Sequence, residues 1–439
     1  MGARGTRSSK SAVVSAAEKA AEHKREIKVV DRRGLSELIE FETNLGAVAG
    51  SVRLLPSLTA RNAFAERARL EAELVQGGTP VPRFEYAAPR PCSATLRWLD
   101  QLRPYALQLP AAQLYLDKLA ELQLDLALLA SLGDARQVRP LAARRFGTGA
   151  EIIDTPNGPA RLVDYSVQIL QSAAFARGTR RRRERQKVPA DAPDGEFCLR
   201  ALIEALAAIS GLRVTVRVEP NLTAGAATGD RTVFLADRTW TPREAWRLAV
   251  HEVLGHLTAA QNGSLQPLRI LEWGTGFSFA DQEGVALSIE SKFGVLDRAR
   301  LRSLAGRVLA TNRMHAGASF GETARALFQD FQFSGAEAIA ISERAYRGGG
   351  VARDAGYLLG FLRVQRALTE QQTTLDEMRM GRVGLNALPH LRELRERGLV
   401  HLPPHRPNLT RSFFSTSSGT IPWRLPPSAA ASLMSVELT

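Results

Sequence analysis

The chain has 439 residues, with 58 Lys+Arg against 45 Asp+Glu and a formal net charge of +13. Hydrophobic residues make up 44% and charged residues 23%, so the chain can bury a substantial core and is not disordered as a whole. No apolar run approaches the roughly 18–20 residues of a membrane span, which excludes an integral helical membrane protein.

In chain order, residues 1–45 read as a basic, mobile leader with a short helix around Leu35–Phe41. The leader matches the loose myristoylation pattern through Gly2 and Thr6 and lacks the apolar stretch of a secretory signal. Residues 46–400 read as one large domain, with a helical part over 46–190 and a second part over 191–400. Helical spacing marks residues 61–75, and GGTPVPRFEY (77–86) is an extended segment. Two helices are expected within 93–133, broken near Pro110, the second ending at a C-cap-like Gly133. PNG at 156–158 marks a turn. After a helix over 195–210, LRVTVRVE (212–219) and RTVFLAD (231–237) alternate like half-buried strands, and NLTAGAATGD between them is expected to close a hairpin. Helical patterns then run to about residue 398. A Pro/Ser-rich tail occupies 401–439. The fold class is α+β and mainly helical.

Cys92 and Cys198 are the two cysteines, too few for a disulfide scaffold and suited to a reducing, cytoplasmic setting. The strongest basic run is Arg177–Lys187, in which seven of eleven residues are Lys or Arg. It contains no aromatic residue to stack on a base. An exposed loop or a contact for an acidic partner is favoured there over nucleic-acid binding.

The segment TPREAWRLAVHEVLGHLTAAQNG (241–263) carries the chemistry. Thr241, Pro242 and Glu244 form a capping box with Pro at the first helical position. His251, Glu252 and His256 therefore lie well inside a helix. Two imidazoles flanking a carboxylate suit a zinc hydrolase, the histidines as ligands and the Glu as the base that takes a proton from a zinc-bound water. Histidines at i and i+5 diverge by about 140° on an ideal helix, against about 40° at i and i+4. A shared face needs a wide turn within Val253–His256, where Gly255 offers slack. Without it, one histidine caps a polar pocket and the other is merely buried. Glu283, in ADQEGVALSIE, is the candidate third ligand and Glu290 its competitor, while Gly284 is expected to pack closely on the first helix. Alternatively Glu283 is a helix-terminal carboxylate satisfied by the macrodipole.

HEVLGHLTAAQNGSLQPLRILEWGTGFSFADQEGVALSIE resembles the tyrosine carboxypeptidase family, whose animal members detyrosinate α-tubulin. Its bacterial members carry the name flavohaemoglobin expression-modulating QEGLAE motif proteins. FEY (84–86), HAGASF (315–320) and RAYRGGGVARDAGYLLG (344–360) are similar to further family segments, so residues ~50–400 are covered. QEGVA stands for the usual QEGLA, and VARD stands where Thr-Lys-Asp is common. The resemblance implies a zincin-like metallopeptidase of His-Glu-x-x-x-His type, with one zinc ion on His251, His256 and Glu283 and Glu252 as general base.

The expected reaction is zinc-dependent removal of a C-terminal residue, with tyrosine the candidate, from a protein or peptide. Tyr357, with His315 as runner-up, is the candidate oxyanion donor. Arg347 and Arg353, flanking Gly348–Gly350, are candidates to hold the free α-carboxylate. The three glycines offer close backbone approach to substrate or a hinge, and the strand at 231–237 is a candidate to pair with an extended substrate. The net positive charge then reads as attraction for an acidic substrate tail. Two other readings stand: a catalytically idle binding or regulatory protein on the same fold, and a hydrolase of a small peptide-like metabolite.

Overall fold

Leucines at three- and four-residue spacing bury the Ala112–Ser131 helix through Leu119, Leu122, Leu126 and Leu129, each contributing roughly 1.5–3 kcal/mol on burial. This is one of the elements in a computed structural model that describes residues 32–155, 157–172, 188–191, 198–220, 222 and 224–408. The architecture is mainly helical with small sheets, an α+β arrangement. Among the described residues no helix is long and apolar enough to cross a membrane.

The expected helices form as Ala63–Val75, Ser93–Ala106, Ala112–Ser131 and Leu199–Ile209. Gly133 takes a positive φ of 91° just past its helix, a backbone state glycine adopts without strain. Asn157 and Gly158 turn the chain between the antiparallel strands Ile152–Thr155 and Gly158–Arg161. The N-terminal helix is longer than expected. It runs over Arg32–Ser51 and buries Leu38, Phe41, Leu45 and Val48, so it crosses the boundary at residue 45 and belongs to the core. At the other end, His401 and His405 are tied by backbone hydrogen bonds to the side chains of Gln266 and Asn262. Gly2, the Arg177–Lys187 run and the tail from residue 409 lie outside the described residues.

Two apolar clusters fill the interior. Each draws on both sides of residue 190: Leu99 meets the cluster of Val253 and Leu257, and Leu70 and Ile153 meet that of Leu301 and Val308. The parts over 46–190 and 191–400 therefore share their cores.

The expected hairpin over 212–237 is not formed. Thr215–Glu219 and Thr232–Ala236 pair in parallel, which a short hairpin link cannot achieve. The link instead supplies a third strand, Ala226–Thr228, antiparallel to Thr232–Ala236. Thr232–Ala236 is thus the central strand, and both its edges are taken. It cannot pair with a substrate, and the edge next to the Val250–Leu257 helical segment belongs to Ala226–Thr228.

Candidate active site

Thr241 opens the histidine helix through the expected capping box: its hydroxyl accepts the Glu244 N–H, and Glu244 Oε2 accepts the Thr241 N–H at 3.0 Å. Such a cap is worth about 1 kcal/mol. The helix continues through Pro242–Ala249, a π-helical Val250–Leu257 and Thr258–Ser264. The wide turn required by the i,i+5 spacing is present and spans both histidines. Gly255 serves packing as well as slack, since a Cβ there would sit 2.9 Å from the Ala286 Cβ.

Ala286 lies on Phe279–Lys292, the glutamate helix, which packs on the π segment and on Ala355–Thr369. Gly284, expected to ease packing on the histidine helix, has its closest approach on Ala355–Thr369. Its missing side chain admits the backbone of Gly360 and Phe361, the Phe361 nitrogen lying 2.9 Å from where a Cβ would stand. The turn ahead of the glutamate helix is held by buried Glu121, which pairs with Lys118 at 2.7 Å and accepts the Phe277 N–H.

These helices bring three side chains together. His251 Nε2 is 3.2 Å from His256 Nε2 and 3.3 Å from Glu283 Oε2, and His256 Nε2 is 3.6 Å from the same oxygen. Ligands about 2.05 Å from a tetrahedral ion stand about 3.3 Å apart. Glu283 Oε2 is buried with no hydrogen-bond partner. The donor set, its spacing and this orphaned oxygen all fit a zinc ion. Glu290 is placed differently from Glu283. Fully buried, it accepts from His251 Nδ1 at 2.7 Å and faces Arg247 at 3.5 Å and Arg300 at 3.7 Å.

Electrostatics follow from this enclosure. Burial raises the Glu290 carboxyl, but Arg300, Arg247 and His251 outweigh it and bring it down to about 2. Burial lowers the His251 imidazole, yet the Glu283 and Glu290 carboxylates beside it lift it to about 9 as bare side chains. Glu252 is buried beside the histidines, and its Oε2 accepts the Thr228 hydroxyl at 2.7 Å. Thr228 ends the free edge strand.

His251 and Glu252 open on a cavity of about 290 Å³ whose walls include Tyr357 and seven arginines: Arg67, Arg238, Arg247, Arg300, Arg307, Arg344 and Arg347. Among the described residues, Glu252, Glu337 and Glu343 are the only acids lining it. Behind the wall, buried Asp354 pairs with Arg344, with Arg347 at 3.2 Å and with Arg307 at 3.6 Å. Burial raises the Asp354 carboxyl, but these guanidiniums hold it well below the usual carboxylate range. The Nε atoms of Arg300, Arg307 and Arg347 are buried without a hydrogen-bond partner. A wall with this surplus of cationic donors accommodates carboxylates.

Tyr357 lines the cavity, edge-on to Phe279 with ring centroids 5.8 Å apart. Burial and the charge of Glu283 raise its hydroxyl, which keeps it a donor at neutral pH. Arg347 also lines the cavity. Arg353 does not: it lies over the Phe279 ring at 4.0 Å and 3.9 Å from Glu283 Oε1. His315 is not brought to the site either. It ends the Arg298–His315 helix near Arg139 and Glu151, outside the cavity wall. Gly348–Gly350, all at positive φ, pack against Leu58, Leu132, Gly133 and Arg139, so their backbone approaches the protein's own core rather than a substrate.

Sequence reasoning passed over Arg300, Ser303 and Arg307, which line the cavity from one face of a single helix. Their three- and four-residue spacing beside the core positions Leu301, Leu304 and Val308 was the available signal. Thr228 and Asp354 had none, because their roles depend on long-range contacts.

A search of curated proteins returned no match. A family model described as microtubule-associated tyrosine carboxypeptidase matches residues 74–419. The match spans the histidine helix, the glutamate helix and every arginine of the wall but Arg67, and covers well over half of the sequence. The chain belongs to the microtubule-associated tyrosine carboxypeptidase family.

Proposed function

We propose that the chain is a zinc-dependent, zincin-like metallocarboxypeptidase that removes a C-terminal residue, tyrosine by the family's description, from an acidic protein or peptide tail. The observation that carries this reading is the convergence of His251, His256 and Glu283 beside a cavity that His251 and Glu252 line together with seven arginines. Zinc held by these three would act as a Lewis acid on the scissile carbonyl and acidify the attacking water to a pKa near 7.

The remaining steps belong to the chain. Glu252, oriented by Thr228, takes the proton of the attacking water and hands it to the leaving amine. Tyr357 donates to the developing oxyanion. The α-carboxylate of the departing residue sits against Arg307 and Arg347, whose unpaired Nε–H groups point to an anionic ligand. This arrangement explains a demand for a free C-terminus, since an amide would leave these guanidiniums without a counter-charge. Acidic residues upstream in the substrate meet Arg238 and Arg67. A microtubule-associated substrate, as the family's description implies, is one candidate tail.

The test is the Glu252→Gln variant, with zinc measured by mass spectrometry and cleavage followed on a C-terminal peptide library. Retained zinc with a loss of about 10²–10⁴ in rate supports the reading. Unchanged cleavage after chelation and in Glu252→Gln overturns it, and zinc-bound protein that cleaves no library member indicates a binding protein.

A further inference from the structure

The wide turn that aligns the two histidines is gripped from outside by one residue, Arg379, 123 positions downstream of His256. Its guanidinium is buried, with the residue 1% exposed. Nη1 donates to the carbonyl oxygen of Leu254 at 2.9 Å, inside the π-helical segment. Nε donates to the Leu375 carbonyl at 3.2 Å and Nη2 to Asp376 at 2.8 Å. The carbonyl of Arg379 in turn accepts the Asn262 amide at 2.8 Å, so the residue holds the histidine helix at two points. The neighbouring carbonyl, Val253, receives the hydroxyl of fully buried Thr258 at 2.9 Å.

A guanidinium in an apolar core is costly unless every donor works. Val253, Leu254 and Leu257 around it are all fully buried, so an aliphatic side chain would suit the packing better. The wide turn sends the Thr258 N–H to the Val253 and Gly255 carbonyls, past its usual α-helical partner Leu254, and a buried carbonyl so passed over needs another donor. Arg379 and Thr258 supply side-chain donors to two consecutive carbonyls, at the positions between the histidines.

We propose that Arg379, assisted by Thr258, is a positioning residue that braces the wide turn and thereby sets the relative orientation of His251 and His256. This inference rests on the metal reading above. The brace touches neither metal ligand nor substrate and acts through the backbone of Leu254.

The experiment uses the full chain, stripped of metal and titrated with zinc and with cobalt. Arg379→Met is expected to weaken binding of both ions at least tenfold and to alter the cobalt visible spectrum. Arg379→Lys, which keeps one donor, falls between it and the parent, and Thr258→Val gives a smaller loss, about threefold. Gln266→Ala is the control, because Gln266 bonds the Met380 and His401 backbone without touching the turn. It lowers the melting temperature yet binds metal like the parent. Amide hydrogen exchange of the metal-free protein is expected to quicken at residues 255–259 in Arg379→Met and Thr258→Val. Parent-like affinity and spectrum in Arg379→Lys, Thr258→Val and folded Arg379→Met overturn the brace, and Arg379→Lys and Thr258→Val decide it if Arg379→Met does not fold. Should the parent bind no metal, the metal reading fails, and exchange at 255–259 then judges the brace alone, unchanged rates overturning it.

Discussion

Glu290 Oε1 stands 2.7 Å from Nδ1 of His251, on the far side of the ring from the nitrogen that faces His256 and Glu283. The carboxylate therefore fixes both the ring's rotation and its tautomer, keeping the Nε2 lone pair for a metal. Arg247 and Arg300 hold the carboxylate in turn. Glu290→Gln keeps the shape but weakens the anchor. Zinc affinity is expected to fall about 10–100-fold, read by competition with a chelator. Equal affinity in the two proteins would mean that Glu290 merely balances its arginines.

Arg307 is a sparsely paired wall residue, its one ion pair reaching Asp354 at 3.6 Å and its Nε unbonded. Removing it as Arg307→Met should raise KM for free-acid peptides by about 10–100-fold, the worth of one charge-assisted hydrogen bond. Slow cleavage of the matching C-terminal amide should be little affected. Steady-state kinetics on the pair of peptides checks this, and an equal loss on both would place Arg307 in a scaffolding role.

Asp354 links pH to stability. Its folded carboxyl titrates far below the unfolded value, so the unfolded chain takes up the proton first as pH falls. The stabilisation is complete above about pH 4 and is lost progressively below it. Asp354→Asn leaves three buried guanidiniums without their shared anion and should cost about 3–5 kcal/mol at pH 7. The gap between parent and variant in urea unfolding should narrow at pH 3. A constant gap would contradict the linkage.

Gly284 and Gly360 sit where the glutamate helix and Ala355–Thr369 cross with backbones in contact. A Cβ on Gly284 would stand 2.9 Å from the Phe361 nitrogen, and one on Gly360 would meet the Ala280 backbone. Backbone cannot swing aside as a side chain can, so Gly284→Ala and Gly360→Ala should each cost upwards of about 1–3 kcal/mol. Gly50→Ala, where a Cβ meets nothing within 4 Å, should be neutral or mildly stabilising because alanine favours helix. Denaturant midpoints check all three.

The local chemistry of the site was legible and its surroundings were not. The capping box and the histidine spacing are written in consecutive residues, so the helix start and the wide turn followed from helix geometry. Glu283 stood out as a candidate third ligand with Glu290 as its competitor, the family resemblance favoured it, and it is brought to the histidines. Glu290 was visible as a carboxylate on the same helix, but which imidazole nitrogen it faces depends on three helices packing at once. Arg353 and His315 missed the cavity because sequence proximity to a glycine loop or a helix end carries no direction. The parallel pairing of Thr215–Glu219 with Thr232–Ala236 escaped notice since alternation reports a buried face and is blind to strand polarity. Among the arginines, composition recorded the excess, while only folding gathers seven of them around one cavity.

The extra residue between the histidines also turns everything after it. Each residue advances a helix by about 100°, so the face carrying Gln261 and Asn262 is set by the same insertion that aligns the rings. Gln261 pairs with the backbone of Arg213, and Asn262 with that of His405. Shortening His-Glu-x-x-x-His to the commoner His-Glu-x-x-His would tidy the spacing of the histidines while swinging both amides about 100° away from their partners. The longer spacing is thus locked in by the far end of the chain, and a one-residue deletion is a change of two sites at once.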